Sequence, residues 1–507
     1  MANSQFLLPV VCCAAGCVLF WLIELGALPR RNLRRPAAAT LLFAGIWGFA
    51  YSILLFATGR PMCAALFALA MEAILVLVDN AKYRSLREPF LYQDYDYFLD
   101  TLKFPRLFLP FLGVKSFLLA AAGCFLGFGV LWLEDPPPNR WRLDGQAGGG
   151  LLIALASLLC LWFGHRAAGQ ISLKPGPDAI KYGFIPFLWL YGREEKKSSL
   201  PESPFARVRI KPCRETPHLI AIQSESFFDA RLFFGGVKKE LYRNLDEFDR
   251  NALLWGDLIA PAWGANTVRT ECCFLTGIPP AALGARQFNP YQSMARGWNP
   301  ASLPRVLRRA GYQTICVHPY YGQFYGRDKI FPRLGFDAFL DIKKFSRSPD
   351  DGPYIGDRTL GEKIIELIEK ATRPTFVFAI TMENHGPLGL ERPLPSHALF
   401  YDRQPPRGCE ELGIYLNHVR SCDNTLGLLR DAFGLGPYLS LCFYGDHAPI
   451  LEECYRTLPP PSGHTPYFCW SNRARECQPP NPERAENLAV AWLKALDLIR
   501  GKEDARP

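Results

Sequence analysis

Long apolar runs crowd the first third of the chain, and they constrain its fold more than any other feature. They cover roughly residues 6–28, 38–58, 61–79, 107–133 and 148–164. A helix needs about 20 mostly apolar residues to cross a bilayer. The first four runs reach that length, and the fifth is shorter but uncharged. Residues 1–165 are therefore expected to form a transmembrane domain of about five helices. A cleaved signal peptide does not fit the start, because no positive charge precedes the first run and further spans come after it.

Residues 200–507 are different in kind. Proline, glycine and charged residues are mixed there as in a globular protein, and the stretch is long enough to bury a core of its own. Residues 166–215 read as a juxtamembrane connector, with an aromatic run from Tyr182 to Tyr191 suited to the membrane interface, then Arg193-Glu-Glu-Lys-Lys197 and a proline-rich stretch. The net charge of +9 is modest and the basic residues are scattered, which argues against nucleic-acid binding. None of the 16 cysteines has CxxC spacing, which excludes a zinc ribbon; some would pair as disulfides in an oxidising space.

Four short apolar runs in this second part read as strands buried on both faces: Leu219–Ile222, Thr314–Val317, Thr375–Thr381 and Leu439–Tyr444. Uninterrupted apolar runs of this length suit a parallel sheet. Segments of helical spacing lie between and after them, at Leu303–Ala310, Thr359–Lys370, Glu411–Phe433 and Pro482–Leu498. The expected fold is an α-helical transmembrane bundle succeeded by an α/β sandwich over residues 216–507.

The residues just past the strand ends carry the chemistry. Ser224-Glu225-Ser226 lies after the first strand, Glu383-Asn384-His385-Gly386 after the third, and Gly445-Asp446-His447 after the fourth. Ligands of parallel α/β sheets bind outside the carboxyl ends of the strands. Glu, Asp and His are oxygen and nitrogen donors for a divalent ion. A lone residue of this kind is usually a solvated loop group or a helix cap; their convergence on one sheet edge points to a metal site. A further segment, Gly264-Ala-Asn-Thr267-Val-Arg-Thr270-Glu271, would present a hydroxyl at a helix start beside backbone N–H groups. A hydroxyl nucleophile needs a base or a metal to activate it. On position alone Thr267 and Thr270 stand equal, and either would also serve as an ordinary helix cap.

Taken in order, Gln223-Ser-Glu225-Ser-Phe227, Gly264-Ala-Asn-Thr267-Val-Arg-Thr-Glu271, Phe324-Tyr-Gly-Arg327-Asp, Glu383-Asn-His385-Gly-Pro387 and Tyr444-Gly-Asp446-His447 resemble the lipoteichoic acid synthase and phosphoglycerol transferase family, within the alkaline phosphatase and sulfatase superfamily. The resemblance covers about residues 215–495. It implies an alkaline phosphatase/sulfatase-like catalytic domain, and an enzyme that moves a phosphoglycerol-type headgroup from a phospholipid, phosphatidylglycerol, to an extracytoplasmic glycan through a phosphothreonine intermediate. It implies one divalent ion, Mn2+ in preference to Mg2+ or Zn2+, held by Glu225, Thr267, Asp446 and His447. Thr267, four residues before Glu271, would be the nucleophile. Arg327 and His385 would bind the headgroup phosphate or handle its leaving and attacking oxygens, with Tyr325 near the substrate. Gly326 stands where the family often has Asn, which leaves the headgroup open.

The rival readings are a phosphoethanolamine transferase, a sulfatase or phosphodiesterase of the same superfamily, and a non-catalytic scaffold. The sulfatase pattern C/S-x-P-x-R is absent: Thr267-Val-Arg-Thr-Glu271 has no proline two residues on and no arginine four residues on. A scaffold would have lost a ligand or the nucleophile, and every expected position is filled. The resemblance implies a bacterial inner-membrane, multi-pass protein with its catalytic domain outside the cytoplasm. Charge counting pulls the other way. Arg30, Arg31, Arg34 and Arg35 come after the first run, and Lys82, Arg84, Arg87, Lys103 and Arg106 after the third. The positive-inside rule places both loops in the cytoplasm, and five spans would then leave the large domain there too.

Overall fold

The computed structural model describes residues 2–97, 145–349, 351–473 and 477–499, with a few single positions between 98 and 144. The chain divides into two compact units, Met1–Lys197 and Ser198–Pro507.

In the first unit, α1 (Ala2–Glu24), α2 (Ala37–Thr58), α3 (Pro61–Leu86) and α4 (Gly145–Ala167) match four of the five expected spans. Among the described residues these four are long and apolar enough to cross a membrane. The remaining expected span, 107–133, lies outside the described residues. Two short helices come next, α5 (Pro175–Tyr182) and α6 (Phe184–Lys197), and both belong to this unit. Helices in lipid associate by close packing of small residues. Gly45 of α2 and Gly164 of α4 do this here: a methyl group on Gly45 would lie 2.9 Å from the backbone of Leu161 and Ser157, and one on Gly164 2.9 Å from the backbone of Leu42.

The basic residues that weigh on orientation have partners within this unit. Arg31 pairs with Asp79 at 2.5 Å with both side chains fully buried, Arg35 pairs with Glu24, and Lys82 bridges Glu88 and Asp94. Glu24 also accepts the backbone N–H of Ile185 at the start of α6. Arg31 and Arg35 thus have acidic partners within the unit whichever side of a membrane they face.

In the second unit the strands are β1 (His218–Ser224), β2 (Leu254–Ile259), β3 (Gln313–Val317), β4 (Ala338–Leu340), β5 (Thr375–Ile380), β6 (Leu439–Gly445), β7 (Thr465–Ser471) and β8 (Glu483–Arg484). They form one sheet in the order β4-β3-β5-β1-β6-β7-β2-β8. The four expected strands are β1, β3, β5 and β6, and with β4 they make one parallel block; β2 and β8 also pair in parallel. The expectation of a parallel sheet is incomplete: β7 runs antiparallel to both β6 and β2. This extension begins at Thr465-Pro466, and a proline is tolerated at a strand's first residues.

The helices that matter for the site are α7 (Thr267–Thr276), α8 (Leu303–Arg309), α9 (Arg327–Leu334), α10 (Asp357–Glu369), α11 (Glu410–Phe433) and α12 (Ala485–Ala495). Strand side chains alternate between faces. Ile220 and Ile222 of β1 join a core with Ile364 of α10 and Leu416 of α11; Leu219 and Ala221 join another with Phe274 of α7 and Trp492 of α12. Both faces are covered, which is why these strands read as continuous apolar runs. The result is an α/β sandwich with the carboxyl ends of β1, β5 and β6 side by side.

Gly445, the last residue of β6, has no room for a side chain. A methyl group there would lie 2.0 Å from the Phe227 carbonyl oxygen and 2.9 Å from Thr465 Cβ. Gly445→Ala should therefore destabilise the protein by about 1–3 kcal/mol or more, the usual cost of overpacking. Urea unfolding of the detergent-solubilised chain would show it as a lower midpoint; an unchanged midpoint would contradict this packing.

Candidate metal and nucleophile site

Glu225 extends from the end of β1, and Asp446 and His447 from the end of β6, its parallel neighbour. Register places Ser224 opposite Gly445, so the next residues emerge together. The chain turns sharply here, with Ser226 in the left-handed region at φ 51. Its N–H donates to Asp446 Oδ1 at 2.8 Å and its hydroxyl donates to Glu225 Oε1 at 2.9 Å. Helix α7 starts at Thr267 and brings the third component. Asn266, just before it, has φ 66, and the Gly264 N–H is tied to the Ala448 carbonyl at 3.1 Å. Left-handed non-glycine residues cost free energy and tend to persist where function requires a shape. Ser226, Asn266 and Tyr325 (φ 57) all have this conformation beside expected site residues.

The Thr267 hydroxyl lies 3.3 Å from Glu225 Oε2 and 3.5 Å from His447 Nε2. His447 Nε2 is 3.4 Å from both Glu225 Oε1 and Asp446 Oδ2. His447 Nδ1 lies 3.0 Å from the Ala448 carbonyl, which only accepts, so Nδ1 carries the proton and Nε2 presents its lone pair to the cluster. The other threonine is occupied elsewhere: Thr270 is fully buried and its hydroxyl donates to the Asp446 carbonyl at 2.8 Å.

These groups suit a divalent cation. Glu225, Asp446 and His447 each offer a ligand atom, and all three atoms fall within 4.8 Å of one another. Asp446 Oδ2 is buried with no hydrogen-bond partner, a costly state for a carboxylate oxygen that a cation would relieve. Burial, then the adjacent Glu225 carboxylate, push the Asp446 carboxyl well above its ordinary range. Burial also works to raise Glu225, but its neighbours together, His385, the Ser226 hydroxyl and Arg327 among them, hold that carboxyl below its ordinary value. Burial keeps His447 below the usual imidazole value, in the neutral form that ligates.

Around this cluster the expected residues divide. His385 is half-buried, 5.7 Å from the Tyr354 ring, and its Nδ1–H donates to the Gly386 carbonyl at 2.6 Å, which leaves Nε2 able to exchange a proton. Arg327 is only 1% exposed. Its Nε and Nη2 grip Glu271 at 3.1 and 2.8 Å, and its Nη1 lies 3.3 Å from His318 Nε2. Of its five N–H groups, two remain for a ligand. Tyr325 lies under it, with the guanidinium carbon 5.2 Å from the ring centre. Glu383, a candidate by its strand-end position, is turned to other partners: its Oε2 accepts from the Asp357 N–H at the start of α10 and from the Ser421 hydroxyl.

His318, beside Arg327, is a neighbour of the expected site residues that sequence reasoning misses, although it lies just past β3 at the same sheet edge. It donates Nδ1–H to the Ile380 carbonyl, and burial and Arg327 keep it neutral by pushing it well below the usual imidazole value. The described cysteines are all free thiols.

The sulfatase family model matches residues 217–497. A capsular polysaccharide biosynthesis protein, RkpI, from Rhizobium meliloti (strain 1021) is 27% identical and covers 96% of this chain and 94% of its own length. Lipoteichoic acid synthase 1 of Bacillus subtilis (strain 168) is 27% identical over 31% of this chain and 25% of its own. In fold, the integral membrane lipooligosaccharide phosphoethanolamine transferase A (EptA) of Neisseria meningitidis covers 95% of this chain and 95% of its own, with TM-score 0.56 and 13% identity.

Binding a cation here must displace any proton held by the raised Asp446 carboxyl. Affinity for Mn2+ should therefore rise with pH, with protons released on binding. Titration calorimetry in two buffers of different ionisation enthalpy would measure that release. His447→Ala should lose the ion and leave the fold largely intact; a variant that still binds Mn2+ with wild-type affinity would remove His447 from the ligand set.

Proposed function

The chain belongs to the sulfatase family, within the alkaline phosphatase and sulfatase superfamily, and from that premise we propose that it is a membrane-anchored transferase. On this reading it moves a phosphoglycerol-type headgroup from phosphatidylglycerol to an extracytoplasmic glycan, with residues 1–165 as anchor, 166–215 as connector and 216–507 as catalytic domain. The observation that carries it is the Thr267 hydroxyl, buried at a helix start within 3.5 Å of Glu225 and His447. Glu225, Thr267, Asp446 and His447 would hold one divalent ion, Mn2+ in our assignment. Such an ion supplies positive charge that lowers a hydroxyl's pKa and offsets charge on phosphoryl oxygens.

The chain's own residues then have separate tasks. Thr267 Oγ, its proton first given up to solvent, attacks the donor phosphorus, and the bond to the diacylglycerol oxygen breaks. His385, starting protonated at Nε2, gives that proton to the leaving oxygen and later takes one from the acceptor hydroxyl. The acceptor oxygen attacks the phosphothreonine and frees Thr267. Arg327 offers its two remaining N–H groups to the phosphate, and Tyr325 borders the headgroup. A catalytic domain outside the cytoplasm suits a glycan acceptor. The pairing of Arg31 and Arg35 with Asp79 and Glu24 gives those arginines a packing role that is compatible with either orientation.

The similarity to a phosphoethanolamine transferase fold keeps a second donor in view, and one experiment separates the two. Purified enzyme given fluorescent phosphatidylglycerol or phosphatidylethanolamine should release diacylglycerol from the first. Release from the second alone would make it a phosphoethanolamine transferase. A reporter fused after residue 500 should be active only outside the cytoplasm; a cytoplasmic signal would overturn the acceptor assignment.

A further inference from the structure

Beneath the site lies a carboxylate to which this reaction gives no task. Glu271 is fully buried and sits one helical turn after Thr267 on α7. It accepts four hydrogen bonds: from Arg327 Nε at 3.1 Å and Nη2 at 2.8 Å, from Gln223 Nε2 at 3.2 Å, and from the Tyr291 hydroxyl. Gln223 in turn accepts from the Tyr444 hydroxyl at 2.8 Å. Gln223 lies two residues before Glu225, and Tyr444 two residues before Asp446. His318, at the end of β3, takes a third edge of Arg327.

We propose that Glu271 is a positioning residue that holds the Thr267 hydroxyl and the Arg327 guanidinium in one frame. It touches neither the ion's ligands nor the substrate, and works through its hydrogen bonds. Residues four apart share a helix face, so fixing Glu271 fixes the turn that carries Thr267. A two-point guanidinium–carboxylate contact sets direction as well as distance. With its side edge held by Glu271 and a further N–H on His318, Arg327 cannot rotate to satisfy itself elsewhere. The network also reaches β1 and β6 just behind the two metal-binding carboxylates. One buried carboxylate thus joins nucleophile, arginine and both ligand strands.

This rests on the reading of Thr267 as nucleophile, and the test separates the two. Diacylglycerol release is measured with whichever fluorescent lipid the wild-type enzyme uses, alongside bound Mn2+ and thermal midpoint. Glu271→Gln keeps the shape but loses the two-point contact. It should lower kcat by about 10²-fold, the cost of a misplacement of about 1 Å, with Mn2+ content unchanged. Glu271→Asp should recover part of that loss. Arg327→Gln combined with Glu271→Gln should be no slower than Arg327→Gln alone, since members of one network do not add. Tyr291→Phe, which removes one donor and no charge, should slow turnover severalfold and serves if Glu271→Gln does not fold. The proposal is overturned if Glu271→Gln or Tyr291→Phe turns over normally. It is equally overturned if activity falls only in proportion to folded or metal-loaded protein, or if the double variant shows simple additivity. If instead Thr267→Ala keeps wild-type rates, it is the nucleophile reading that fails.

Discussion

Two buried carboxyl groups, Glu225 and Asp446, meet one neutral imidazole at the carboxyl ends of adjacent parallel strands, and the rest of the site depends on that charge imbalance. A buried carboxylate without a partner is expensive. Here Ser226 satisfies one oxygen of Asp446, and the other, Oδ2, has no hydrogen-bond partner. A proton or a cation must resolve this, and the three ligand atoms lie close enough for a single cation to do so. The surrounding structure is arranged to hold the imbalance in place. Ser226 donates to both carboxylates from a strained backbone position, His447 is turned by its own Nδ1–H, and Thr270 anchors the Asp446 backbone.

Much of this is legible in the sequence, for a physical reason. Strands covered on both faces must be apolar throughout, so β1, β3, β5 and β6 stand out as uninterrupted runs. The polar residues just past them are then conspicuous, and Glu225, Asp446 and His447 can be found by position alone. Choosing between Thr267 and Thr270 is not possible on those grounds, because the answer lies in where each hydroxyl points. Thr270 donates to a carbonyl and Thr267 faces the carboxylate and imidazole.

The features that stay hidden are set by contacts between distant segments. Arg327 and Glu271 are 56 residues apart, and nothing local announces their ion pair. His318 sits in a His-Pro-Tyr-Tyr segment that reads as an ordinary loop. Strand β2 is interrupted by Gly256-Asp257, and the apolar run of β7, Tyr467–Trp470, follows a Thr-Pro pair, so neither stands out as a strand. In the first unit the basic loops can be counted, but their acidic partners in the helices, Glu24 and Asp79, appear only when the chain is folded.

The central claim is that the Thr267 hydroxyl is the nucleophile, activated in this carboxylate-rich site. The most direct measurement is peptide mapping by mass spectrometry of enzyme quenched with lipid donor present and acceptor absent. A phosphodiester headgroup adduct should appear on Thr267 and disappear when acceptor is added. An adduct on Thr270, or steady turnover with no adduct on any threonine, would contradict it.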